Sequence, residues 1–103
     1  MIVVYSINKA PIRLTLERWN HIIYRHPEIE NEKEKILETI NNPDFIQRGD
    51  FGTLLAIKYY KKTPLTSKYL SVVYKEINKT DGYVLTAYYT NEPSKRREVI
   101  WKS

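Results

Sequence analysis

The stretch Trp19-Asn20-His21-Ile22-Ile23-Tyr24-Arg25-His26-Pro27-Glu28 holds both histidines of the chain and sets arginine between them. Such groups suit RNA chemistry, because the ribose 2′-hydroxyl already lies next to the phosphate it can attack. A protein then needs only to remove one proton, supply another and hold the charged phosphorane. His21 has Arg18 three residues before it and Arg25 four after it, so all three share one helical face. Flanking cations favour the uncharged, proton-accepting imidazole, which makes His21 the candidate general base and Arg25 the candidate transition-state stabiliser. His26 precedes Pro27 and should close the helix, where it can serve either as acid or as a positioning group. The plainer alternative is that His26 only caps the helix and His21 is simply exposed.

A second group of polar residues comes late in the chain. In Tyr83 to Thr90 a strand puts Val84, Thr86, Tyr88 and Thr90 on one face and Tyr83, Leu85, Ala87 and Tyr89 on the other. The second set is the more apolar and is assigned to the core, so Tyr88 and Thr90 should open outward and orient a phosphate. Lys95, Arg96 and Arg97 follow after a short loop and could grip phosphate, arginine by a bidentate fork. With Arg18, Lys58, Lys61 and Lys62 they form the expected RNA-binding set.

Charge placement agrees with a polyanionic partner. The formal charge is +5 and the pI about 9.4. From Glu28 to Glu38 five glutamates stand against two lysines, whereas from Lys58 to Lys79 six lysines stand against Glu76 alone. One region is therefore acidic and another basic, a field that draws polyanions. Nine tyrosines and two tryptophans add aromatic faces beside those cations, the combination that holds unpaired bases. A solvated surface selected for solubility would have the same composition.

Other chemistries find little support. The histidines are five apart rather than at the i, i+4 spacing that holds zinc on a helix, and no third ligand is obvious. Pro43-Asp44 could open a restriction-type nuclease motif, but no Asp or Glu is followed two positions later by Lys. No metal and no cofactor are expected. Three glycines cannot build a glycine-rich phosphate loop, and no serine sits in a nucleophile elbow. Cysteine is absent, so a reducing cytoplasm is acceptable and is the expected location. Met1 to Ile7 is too short for a signal peptide, and no stretch is long and apolar enough for a bilayer.

The elements that must position these residues can be read from periodicity. At 103 residues the chain should form one domain, 1–103. Ile2 to Ile7 reads as a strand, broken from Asn8 to Pro11. Thr15 can cap a helix with Leu16, Trp19, Ile22 and Ile23 on its apolar face, ending at His26. A second helix should run from Glu28 to Asn41 with Ile29, Ile36, Leu37 and Ile40 inward. Strands then follow at Phe45–Gln47, Thr53–Tyr60, Tyr69–Ile77, Tyr83–Thr90 and Arg97–Trp101, with a turn at Gly49–Gly52. The expected fold is α+β, with two N-terminal helices packed on a four- to five-stranded antiparallel sheet.

The combined pattern is Trp19-x-His21-Ile22-x-x-Arg25-His26-Pro27-Glu28, Ile40-x-x-Pro43-Asp44, Tyr59-Tyr60-Lys61, Thr86-Ala87-Tyr88-x-Thr90 and Lys95-Arg96-Arg97. It resembles the phage-associated branch of the Barnase–EndoU–colicin–RelE-like nuclease superfamily, from about Arg13 to Trp101. The resemblance implies a metal-independent, toxin-like ribonuclease with RNA as substrate, restrained by an antitoxin or immunity protein. It carries best onto His21, Arg25, His26 and Thr90. The C-terminal half lacks the histidine that several relatives place there, which leaves acid–base work to the helix or to Tyr88 and Lys95. Two further readings use the same residues: a non-catalytic nucleic-acid-binding module, and a protein-interaction domain that presents its acidic helix.

Overall fold

In the computed structural model, which describes Met1–Ser103, seven strands form one sheet with two helices on one face. The strands are β1 (Ile2–Tyr5), β2 (Pro11–Leu14), β3 (Phe45–Arg48), β4 (Leu54–Tyr59), β5 (Tyr69–Asn78), β6 (Asp81–Thr90) and β7 (Val99–Lys102). The helices are α1 (Leu16–Arg25) and α2 (Lys33–Asn41). The sheet order is β1-β2-β6-β5-β4-β3-β7.

This corrects the expected four- to five-stranded antiparallel sheet. The meander from β3 to β6 is antiparallel as expected; the first and last expected strands also form, but β1 joins an unexpected β2 in a hairpin at one edge and β7 pairs with β3 at the other. Pro11, read as a breaker, starts β2, a position where its missing N–H costs no ladder bond. Ile12 and Leu14 are buried there, with Arg13 between them less so. β2 runs parallel to β6 through Arg13 opposite Tyr83. Gly82 makes that approach possible: a Cβ there would meet both Ile12 and the Lys75 carbonyl at 2.6 Å.

Local signals set α1. Thr15 accepts from the Arg18 N–H at 3.1 Å, and His26 closes the helix with its N–H on the Ile22 carbonyl. The single helix expected from Glu28 to Asn41 is instead a 3-10 turn at Pro27–Ile29 followed by α2. Proline at the start of the turn favours its initiation. The break before Lys33 brings the Glu32 carboxylate to the Tyr89 hydroxyl at 2.9 Å and to Lys35 at 3.2 Å. Ile22, Ile29, Ile36 and Ile40 are all fully buried against Leu70, Val72 and Tyr74 of β5. Each such side chain contributes roughly 1.5–3 kcal/mol.

In β6 a bulge changes the face. Val73 pairs with Thr86 but Tyr74 pairs with Val84, leaving Leu85 as the extra residue. Gly82 and Val84 point inward before it, and Ala87 and Tyr89 after it. The expected core set is therefore corrected: Val84 is buried in place of Tyr83 and Leu85. Downstream the alternation is as expected, and Tyr88 and Thr90 face away from the helices.

Candidate nucleic-acid interface

The sheet face opposite the helices has a regular array fixed by register. Gln47, Leu55, Val73 and Thr86 make one row, and Phe45, Ile57, Ser71 and Tyr88 the next. Tyr59, Tyr69 and Thr90 form a third row. Leu55, Ile57, Gln47 and Ser71 are nonetheless buried, because residues 91–98 pass over them. β6 and β7 run in the same direction on either side of β5, β4 and β3. The connecting segment must return from the end of one to the start of the other, so it crosses the face diagonally. Gln47 Nε2 holds this strap by donating to the Ser94 carbonyl at 2.7 Å.

Beneath and beside the strap lies a concavity of about 230 Å³, lined by Leu55, Ile57, Ser71, Tyr88, Thr90 and Arg97. Arg97 supplies its charge. Its guanidinium donates to both Asp50 oxygens at 3.3 Å and to the Arg48 carbonyl at 3.4 Å. The Asp50 carboxylate, by accepting those bonds, raises the guanidinium above its ordinary range, with partial burial acting against it. Arg97 is therefore a fixed cation held in a set orientation. The Thr90 hydroxyl donates to the Glu92 carbonyl at 3.1 Å, at the start of the strap.

His26 stands beside Tyr88, one of the residues that line the concavity. Its ring centroid is 6.0 Å from that of Tyr88, with the planes inclined by 34°. Its Nδ1 is 3.6 Å from Glu28 Oε1, longer than a hydrogen bond and within ion-pair range when the ring is protonated. With Nδ1 turned to Glu28, Nε2 is the nitrogen left to exchange a proton. The contact arises because β2 pairs with β6 only at Arg13 and Tyr83. The C-terminal half of β6 is thus a free edge, and α1 packs along it, as Arg18 shows by donating to the Leu85 carbonyl at 3.5 Å.

The structure brings together His26, Tyr88, Thr90 and Arg97, with Lys95 and Arg96 on the strap. Lys95 is exposed and paired with Glu92 at 3.0 Å, and Arg96 is exposed. His21 and Arg25 make no ion pair or hydrogen bond with them. Trp19 and Ile22 mark the buried side of α1, and at 100° per residue His21 points about 130° away from it and Arg25 about 90° to one side, on the flank of Arg18. Both are exposed. Lys58 lies on the helix side, donating to the Asn42 carbonyl at 2.9 Å beside Asp44 at 3.7 Å, and so ties α2 to β4. Lys61 and Lys62 are exposed in the loop after β4, where the Lys62 carbonyl accepts from Lys35 of α2 at 2.7 Å.

Sequence reasoning missed Glu28, Gln47, Ser71 and Asp50 as parts of this face. Glu28 had a signal, two positions after His26 within one short block. The other three become neighbours only through strand pairing and the strap. No helix is long and apolar enough to cross a membrane. Comparison with protein-family models, curated proteins and solved structures finds no match.

Proposed function

We propose that the chain binds RNA on the strapped sheet face and cleaves it without metal. The supporting observation is His26 beside Tyr88, which with Arg97 lines the concavity. In this reading the His26 imidazole, steadied by Glu28, takes the proton of the 2′-hydroxyl. The 2′-oxygen attacks phosphorus, the bond to the 5′-oxygen breaks, and the Tyr88 phenol supplies the leaving oxygen with a proton. Products are a 2′,3′-cyclic phosphate and a 5′-hydroxyl. Arg97 holds the phosphorane charge, and Thr90 with Lys95 and Arg96 positions the backbone. His21, the base expected from sequence alone, becomes a peripheral residue, and Arg25 and Arg18 contribute only attraction at a distance. An antitoxin or immunity protein would restrain this activity by covering the strap.

The test is incubation of the purified chain with tRNA and total RNA in EDTA, scoring cyclic phosphate ends. Wild type and H21A should cut at rates within a few-fold of each other. H26A should lose about 10²-fold or more, the usual size of a general acid–base contribution. Intact RNA with wild type, or equal rates for H26A, overturns the assignment.

A second reading is a non-catalytic RNA-binding module. It is favoured by Arg97 being bound to Asp50 on both sides of its fork and by one imidazole, not two, reaching the face. It predicts salt-sensitive binding with no scission.

A further inference from the structure

The tip of the β3–β4 hairpin carries a side chain that its own fold does not use. Thr53 N–H donates to the Asp50 carbonyl at 3.1 Å, closing a turn whose central residues are Phe51 and Gly52. Phe51 has φ 55 and ψ 39, and Gly52 has φ 78. Two consecutive positive φ values define the tight hairpin turn that selects Asn, Asp or Gly at its first central position. A residue with a bulky β-substituent is strained there. Burial gives nothing back, since Phe51 is 94% exposed, the most exposed large hydrophobic residue of the chain.

The surroundings indicate what the ring meets. Arg48 and Arg97 flank the turn, each in an ion pair, with Glu98 and Asp50 respectively, which leaves Lys75 as the unpaired cation of the tip. The ammonium end of Lys75 lies against Gly52. An aromatic face standing clear of a rim of cations is how single-stranded nucleic acid is gripped, the ring taking a base and the cations the phosphates. Asp50 also links this tip directly to Arg97, which lines the concavity described above.

We infer that Phe51 is a stacking platform for an unpaired base of a single-stranded RNA whose backbone continues past Arg97. This rests on the RNA-binding part of the proposed function and names its substrate class as single-stranded. The base adjoining the gripped phosphate lies on the Phe51 ring, and duplex RNA, whose bases are already stacked, gains nothing from it.

The test uses a short fluorescein-labelled 2′-O-methyl oligouridylate, which that attack cannot cut, and a duplex of the same length, in anisotropy titrations at fixed salt. F51A should weaken single-strand binding roughly five- to a hundredfold, the usual range for loss of one base–aromatic stack. F51W should retain it, duplex binding should not change, and the Tm of F51A should not fall. Equal single-strand affinity for F51A and wild type overturns the inference. So does a self-association in sedimentation that F51A abolishes while RNA binding is unaltered, because the ring then serves a protein contact. A chain that binds the oligonucleotide through Phe51 yet leaves ordinary RNA uncut overturns the cleavage reading and supports this one.

Discussion

The two imidazoles differ by their position around one helix. His26 is the residue at which α1 stops, and the turn at Pro27 directs it and Glu28 to the β6 edge, whereas His21 leaves the helix toward solvent. The tyrosines show the same dependence on surroundings. Tyr74 is wholly buried, and its hydroxyl has no hydrogen-bond partner. Tyr89 donates to Glu32, and Tyr60 donates to Glu38 at 2.7 Å. Burial is the first cause that pushes all three phenols well above their ordinary range, with a nearby glutamate adding to it in each case. Tyr74→Phe should therefore be neutral or stabilising by about 1 kcal/mol, since it removes a buried hydroxyl that bonds to nothing. Tyr89→Phe should destabilise by roughly 1–2 kcal/mol, because it takes a donor from a mostly buried carboxylate. Urea unfolding of both variants measures the contrast.

Among the elements, the hairpin tip and the β2–β6 junction both favour glycine, but only the junction has it where it is needed. Replacing Phe51 by glycine relieves the positive φ and should stabilise the chain by about 1 kcal/mol, while removing the ring invoked for RNA. Gain of stability with loss of binding in one substitution would identify a strained residue retained for function. At the junction, Gly82→Ala has no such latitude. The added methyl meets the Lys75 backbone as well as Ile12, and overpacking of this kind costs roughly 1–3 kcal/mol. Thermal denaturation of the two variants should shift Tm in opposite directions.

At the scale of the whole molecule, the sheet separates two environments. One face is sealed by two helices and holds the apolar cluster, and the other is covered only by a strap of eight residues, 91–98. The three elevated tyrosines link that packing to pH. Each binds its proton more tightly when folded, so its contribution is fully present below the ordinary phenol value near pH 10. That contribution is lost as pH rises from there through the folded value, because the unfolded chain releases protons first. Stability should therefore fall steeply above about pH 10. Absorbance at alkaline pH should show a fraction of the phenols ionising only together with loss of circular dichroism. Simultaneous, non-cooperative ionisation of all the tyrosines would contradict the packing.

Residue order by itself determined what depends on neighbours a few positions apart. Thr15 as cap, the end of α1 before Pro27, the inward isoleucines, the turn at Gly49–Gly52 and the central meander all follow from periodicity, capping and turn chemistry. The facing of Tyr88 and Thr90 away from the helices was also legible, since alternation is local, although both are half-buried there. Tertiary structure alone decided the seven-stranded extent of the sheet, the parallel junction at Gly82, the bulge at Leu85 and the path of the strap. It also decided which basic residues share a surface, placing Arg97 with Tyr88 and sending Lys58 to the end of α2. The physical reason is that strand order and crossover side are set by contacts between residues far apart in the chain. Spacing within a segment does not record them.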